Sequence, residues 1–431
     1  MKKLVALLLA LTLCIGLCAC GATAEKPAEE TPATTGETET PATDAKDIKV
    51  GFIFLHDENS TYDLNFINAA KAAAAELGLS DDQIMMKTNI AESQACYDAA
   101  AELVDAGCDL VITDSFGHES FALAAAKEFP EVQFVSCTGV KAHTEGLSNF
   151  HNAFASIYEG RYLAGVAAGL KLNEMIANGE FTEDEAKIGY VGAFTYAEVI
   201  SGYTSFYLGA KSVCPTVTMD VQFTGSWYDE TLEKEAANTL IQKGCKLISQ
   251  HADSMGAPTA CETAGIPNVS YNGSTVSQCP NTFIVSSRIN WEPYFEYMIK
   301  CVQDGKAIDT DWTGDLGTGS VVLTDVNGQA AAANTQAELD KVKAQFDAGT
   351  LHVFDVSTFT VTVDAANKLN ANAKVDENGH LTSYMADVDT DANYTADTEV
   401  VKDGYFHESE FRSAPYFDVQ IDGITLLNAK F

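Results

Sequence analysis

From Ile48 onward, short β-branched runs alternate with amphipathic stretches of helical period, and this alternation constrains the fold more than any other feature of the 431-residue chain. The runs Ile48 to Phe54, Ile84 to Thr88, Asp109 to Thr113 and Val132 to Cys137 read as strands, and a second set follows at Lys187 to Val191, Thr218 to Phe223, Lys246 to Gln250 and Asn268 to Tyr271. Between them, Asn65 to Leu77, Ser93 to Ala106, Glu119 to Phe129, Glu198 to Val213, Glu230 to Lys243 and Met255 to Ala264 carry apolar residues at three- and four-residue spacing. Such a pattern predicts a parallel sheet covered by helices on both faces, and its repetition predicts two architecturally similar lobes.

The join between the sets carries a predicted capping box, Ser156-Ile157-Tyr158-Glu159, opening a long helix through Met175. Another strand, Phe283 to Ser287, and another helix, Glu292 to Gln303, come after the second set. Two tandem domains have no need of that extra unit, whereas two lobes that exchange segments through hinge crossings do. The expected architecture is α/β: two doubly wound parallel-sheet lobes joined by hinge crossovers. We place the first lobe at 48–152 plus 284–305, the second at 153–283 plus 306–366, and a C-terminal extension at 367–431. A ligand is expected in the cleft at the carboxyl ends of the strands.

The N-terminus reads as an export signal. Lys2 and Lys3 precede an apolar run from Leu4 to Leu17 that is too short for a comfortable membrane span, followed by Cys18, Ala19, Cys20 and Gly21. The expectation is a lipoprotein signal peptide over 1–19, lipid on Cys20, and a disordered tether over 20–47 rich in Thr, Glu, Pro and Ala. The chain is therefore placed on the extracytoplasmic face of the cell membrane, lipid-anchored.

A formal net charge of -35 argues against nucleic acid or an anionic membrane face as partner, since both would repel the chain. Of eleven cysteines, Cys14, Cys18 and Cys20 belong to the signal and lipid site. The other eight are dispersed without C-x-x-C spacing and are expected mostly as buried thiols.

Catalytic motifs are lacking: there is no G-x-S-x-G, H-E-x-x-H, P-loop or G-x-G-x-x-G after a strand, so neither an enzyme nor a cofactor is expected. Asp387, Asp389, Asp391 and Asn393 alternate like half of a calcium loop, but Ala392 and Thr398 stand where Gly and Glu are required. His56, His118 and His251 lie on separate loops without zinc-ligand spacing, and no metal is expected.

The strand ends are richer. Aromatic residues follow strands in both halves, each beside Asp, Asn or Ser: Tyr62 and Asp63, Phe116, Trp227, Asp253, Asn272, and Asn290 with Trp291. Flat rings offer stacking faces to a planar, neutral ligand, and the adjoining polar groups can read its edge.

The segments HDENSTYDLNF, DLVITDSFGHESFALAAAKEFPEVQF, YEGRYLAGVAAGL, KIGYVGAF, FTGSWYDETLEKEAA and NWEPYFEYMIKCVQDG together resemble the basic membrane protein family. Its members are substrate-binding lipoproteins of ABC importers, among them purine nucleoside receptors, and the resemblance covers roughly Ile48 to Val363. It implies a type I periplasmic-binding-protein-like fold, hinge closure on a purine nucleoside or nucleobase, and partnership with permease and ATPase subunits. It also implies roles: Tyr62, within Thr61-Tyr62-Asp63, and Trp227 would stack on the ligand from the two lobes. The family's ribose-holding Asp falls on Asn272, and its Lys has only Arg288 and Asn290 nearby. An adhesin or ligand-sensing receptor on the same fold is the alternative.

Overall fold

A computed structural model describes residues 47–364, 366, 368–388 and 395–429. The expected signal peptide 1–19, Cys20, the tether up to residue 46, and Asp389, Asp391 and Asn393 lie outside the described residues.

The first lobe begins with strands β1 (Val50–Ile53), β2 (Ile84–Lys87), β3 (Leu110–Thr113), β4 (Gln133–Cys137) and β5 (Phe150–Ala155). They alternate with helices α1 (Thr61–Glu76), α2 (Gln94–Asp105), α3 (Glu119–Glu128) and the short α4 (Ala142–Glu145). β1 and β3 are buried at every position, as strands covered on both faces must be, which is why they read as unbroken apolar runs. The second lobe follows with α5 (Ile157–Ala177), β6 (Lys187–Gly192), α6 (Ala197–Val213), β7 (Thr218–Phe223), α7 (Glu230–Gln242), β8 (Leu247–Gln250), α8 (Gly256–Ala264), β9 (Asn268–Tyr271) and β10 (Phe283–Ile289).

Next come α9 (Glu292–Asp304), β11 (Asp311–Gly314), β12 (Val321–Leu323) and α10 (Thr335–Asp347). Short strands β13 (Ala373–Val375), β14 (Leu381–Ala386), β15 (Thr398–Glu399), β16 (Val401–Lys402), β17 (Tyr405–Phe406) and β18 (Ile424–Leu426) complete the described chain.

One sheet runs in the order β11-β5-β4-β3-β1-β2 and the other β12-β10-β9-β8-β6-β7-β18. Both are parallel except at β12, which pairs antiparallel with β10. This order corrects the expected lobe boundaries. The segment 284–305 divides: β10 pairs with β9 in the second sheet, while α9 packs on α1 of the first lobe. Likewise β11 leaves the second lobe to pair with β5, so the chain crosses between lobes near residues 156, 290 and 318. The C-terminal extension 367–431 joins the second lobe, because β18 pairs in parallel with β7 and extends the second sheet.

The hinge region is anchored by α5 against α6, the most intimate helix pair of the fold. Glycines permit the approach: a Cβ on Gly165 would stand 2.0 Å from the Phe206 carbonyl oxygen, and one on Gly209 2.0 Å from that of Tyr162. The predicted capping box does not form. Ser156 makes no side-chain cap, and Glu159 Oε2 instead accepts a hydrogen bond from the Leu316 N–H at 3.0 Å, tying α5 to a crossing segment. The eight described cysteines are buried and unpaired.

Candidate ligand site in the inter-lobe cleft

At the carboxyl end of β1 the chain turns into α1 through Ser60, which caps the helix by accepting from the Asp63 N–H. Ser60 Oγ in turn donates to Asp63 Oδ2 at 2.6 Å, and the His56 N–H donates to Asp63 Oδ1 at 2.7 Å. Burial works to raise the Asp63 carboxyl, but hydrogen bonds from His56 and Ser60 help to outweigh it and leave the group below its usual range. Asp63 is thus held ionised. Asp114, at the end of β3, is pushed far upward by burial and by the neighbouring Asp63 charge, so it carries its proton. Tyr62 follows from this local order: its hydroxyl donates to the Asp114 carbonyl at 2.6 Å, which fixes the ring at the cleft.

The second lobe brings rings. Trp227 stands in the turn after β7, edge-on to Phe194 at 4.9 Å, and Phe194 stacks on Tyr196 at 5.2 Å. Tyr196 meets Phe116 of the first lobe at 5.4 Å, and Tyr228 meets His56 at 5.3 Å. Beneath these rings lies Arg161 of α5, fully buried, its guanidinium carbon 3.4 Å from the Tyr271 ring centroid. Arg161 Nη2 lies 3.0 Å from His251 Nδ1, and His251 Nε2 lies 3.2 Å from Glu198 Oε1. Since a guanidinium only donates, Nδ1 accepts, and Nε2 bears the proton given to Glu198. Burial lowers the His251 pKa, consistent with a neutral ring in that tautomer.

Asp253, after β8, is buried and shifted far up by burial and then by Asp63 and Glu233. Its backbone carbonyl joins the lobes, accepting from the Thr61 N–H at 3.1 Å and the Thr61 hydroxyl at 3.2 Å. A protonated Asp253 can donate to a ligand acceptor, whereas ionised Asp63 accepts only.

Leu55, His56, Tyr62, Asp63, Ser115, Phe116, Thr138, Glu198, Trp227, His251, Asp253 and Tyr271 line one slot between the lobes. It is thin, with about 20 Å³ open to the centre of a water molecule. A flat ring needs little such room, while a globular ligand requires the lobes to part.

The slot therefore gathers Tyr62, Asp63, Phe116, Trp227 and Asp253 of the residues expected from sequence. Asn272 stands behind it, its Nδ2 donating to Asp253 Oδ1 at 3.4 Å from a backbone at φ +62°, which Asn tolerates. Asn290 does not reach it. With Asn272 and Arg288 it lines a separate cavity of about 380 Å³ beside α1, and its Nδ2 donates to the Gly319 carbonyl at 3.3 Å. Trp291 is a core residue, 1% exposed, stacked on Phe66 at 4.5 Å between α1 and α9. An aromatic just past a strand end serves stacking or packing equally well, and here the apolar faces of two helices claim it. Glu198, in the first turn of α6, and Arg161 are added by the structure. A lone arginine inside the Ala- and Gly-rich stretch YEGRYLAGVAAGL was the available signal, because such a charge requires buried partners.

Among the described residues no group of three or more His, Cys, Asp or Glu side chains is placed to hold a metal ion, and no helix is long and apolar enough to cross a membrane.

Residues 53–350 match the family described as ABC transporter substrate-binding protein PnrA-like (Bmp). A purine-binding protein of Brucella abortus is 32% identical over 261 residues, 60% of this chain and 69% of that protein. A putative ABC transporter glucose-binding protein of Haloferax volcanii is 30% identical over 54% of this chain and 58% of its own length. Among solved structures, an ABC transporter solute-binding protein from Aeropyrum pernix K1 superposes with a TM-score of 0.61 at 17% identity, covering 74% of this chain and 95% of that one. One from Conexibacter woesei gives 0.56 at 20% identity over 71% and 98%. At these identities the structural likeness speaks to the fold alone.

Proposed function

The chain belongs to the PnrA-like family of ABC transporter substrate-binding proteins, and we propose that it captures a purine, as nucleobase or nucleoside, in the slot between its lobes and delivers it to a membrane permease driven by ATPase subunits. Like its family it is a binding protein, not an enzyme, and it acts outside the cytoplasm. On this proposal it is tethered there by lipid on Cys20.

The observation that carries the reading is the composition of the slot: Tyr62 and Phe116 from one lobe, Trp227 and Tyr271 from the other, around Asp63, whose carboxyl is held low by hydrogen bonds, and Asp253, whose carboxyl is raised by burial. Stacking on aromatic rings is worth about 1–3 kcal/mol per base, and a planar ring with both acceptor and donor edges complements the two carboxyl states. Because each lobe holds part of the contact set, ligand binding favours the closed arrangement over the open one. The purine named for the Brucella relative supports the same reading.

A sugar is the second reading. Asp63 and Glu198 suit hydroxyl donors, and the Haloferax relative is named for glucose. Thermal unfolding of the chain from Asp47, scanned against purine and pyrimidine bases, nucleosides and sugars, separates the two, because binding to the folded state raises the midpoint by mass action. A shift with purines alone supports the first reading; a shift with glucose and not purines replaces it.

A further inference from the structure

Beside the slot, and sharing Phe116, Thr138 and Glu198 with it, opens a chamber of about 810 Å³. Two of its walls are the lobes; the third is built by residues 368–372, 384–387 and 412–420, beyond the stretch that matches the family.

That third wall is fixed in place. Asn370 and Gln420 bind reciprocally, the Gln420 N–H donating to Asn370 Oδ1 at 2.8 Å and Asn370 Nδ2 to the Gln420 carbonyl at 2.9 Å. Tyr203 of α6 donates to Gln420 Oε1 at 2.7 Å, and the Ser413 N–H donates to Asp311 Oδ2 of β11 at 2.7 Å. The segment thus touches both lobes, helix α6 of the second and β11 of the first sheet.

The junction of slot and chamber holds an unspent group. Thr138 adopts φ +67°, a conformation a β-branched residue reaches only with strain, and its buried hydroxyl has no protein partner. Gln420 Nε2, on the chamber's third wall, is likewise unpartnered. Charge narrows the choice of occupant: among the described lining residues the carboxylates Glu198, Asp387 and Asp418 outnumber the cations Lys368 and Arg412. The Arg412 guanidinium is already committed to the carbonyls of Asp387, Ala414 and Pro415 at 3.1–3.2 Å. A phosphate would find no surplus of cations there, whereas neutral hydroxyls find acceptors and donors.

We propose that this chamber is a second compartment of the binding site, made by the C-terminal segment, and that it receives the neutral, hydroxyl-rich substituent of a ligand whose flat ring lies in the slot. The proposal rests on the purine reading above, and what it adds is the compartment built by the C-terminal segment, outside the stretch that matches the family.

Calorimetric titration of the full chain with hypoxanthine, inosine and inosine monophosphate tests it, using wild type, Ala371→Trp and Thr138→Val. Ala371 is an exposed lining residue, so the indole fills the chamber without entering the slot. Wild type is expected to bind inosine at least about tenfold more tightly than either the base or the monophosphate. Ala371→Trp is expected to lose that preference while binding hypoxanthine within about twofold of wild type. Thr138→Val removes the orphaned hydroxyl while keeping the side-chain shape, and weakens inosine about fivefold or more with an unchanged or higher melting midpoint, a pairing that a merely structural threonine would not produce. Equal inosine-to-hypoxanthine ratios in wild type and Ala371→Trp, or tighter binding of the monophosphate, overturn the compartment while leaving the slot reading standing. No binding of any of the three overturns the purine reading and the compartment with it.

Discussion

The two lobes share a winding plan but differ in the side chains they bring to the slot. Strand ends of the first lobe carry a polar set, His56, Asp63 and Asp114, in which His56 is hydrogen-bonded to Asp63 and Tyr62 is fastened to the Asp114 carbonyl. Those of the second carry rings, Phe194, Tyr196, Trp227 and Tyr271, propped from below by Arg161 and His251. On the proposed reading, one lobe reads the edge of the ligand and the other mainly supplies a face. Neither alone encloses a flat ring, so the duplication yields a clamp instead of two independent sites.

The asymmetry extends to packing, and there it can be broken most forcefully. Gly209→Ala in the second lobe drives a Cβ to 2.0 Å from a backbone oxygen that cannot swing away, and is expected to cost about 3 kcal/mol or more. Gly51→Ala in the first lobe meets the tip of the Leu103 side chain at 2.7 Å, which can rotate, and is expected to cost about 1 kcal/mol. Urea unfolding of both variants checks the difference; equal losses would show the α5–α6 joint to be more yielding than its geometry.

Acid and base sharpen the comparison at a similar scale. His151 of β5, in the first lobe, is lowered by burial from 6.5 to about 4, so its contribution is intact above pH 6.5 and is lost as pH falls through about 4. Glu233 of α7, in the second lobe, is raised by burial from 4.5 to about 7, so its contribution is intact below pH 4.5 and is lost as pH rises through about 7. Each shift corresponds to about 3 kcal/mol. His151→Gln should therefore flatten the acid limb of the stability profile and Glu233→Gln the neutral limb, measured by denaturant melts from pH 4 to 8; the reverse assignment would refute both.

The smallest effects concern two tryptophans. Trp227→Ala should reduce purine affinity by about 1–3 kcal/mol while changing stability by less than about 1 kcal/mol. Trp291→Phe should do the opposite, costing about 1–2 kcal/mol of stability with affinity unchanged within about twofold, as titration and unfolding of the same preparations will show.

Much of this was legible in the chain. Apart from β5 and the short α4, the strands and helices through residue 303 follow from periodicity, because most of them bury apolar residues on fixed faces. β5 escaped because two of its buried positions are His151 and Asn152, whose partners, the Asp309 carbonyl, Gln133, the Ala142 N–H and Glu119, are distant in sequence. β11 and β18 were hidden for a related reason, being short segments defined by the strands they join. In the site, loop positions after strands pointed to Tyr62, Asp63, Phe116, Trp227 and Asp253. Trp291 shows where that rule fails, since position after a strand does not say which way a ring turns.

The insertion of β18 beside β7 has a consequence for the order of assembly. The first sheet has all its strands once the chain extends to Gly314, but the second, begun at Lys187, gains its last strand only with Ile424–Leu426. About two hundred residues of intervening chain must be gathered before that edge closes, a slow search by the logic of loop closure. Until then β7 offers an open row of backbone donors and acceptors, the kind of edge on which aggregation starts.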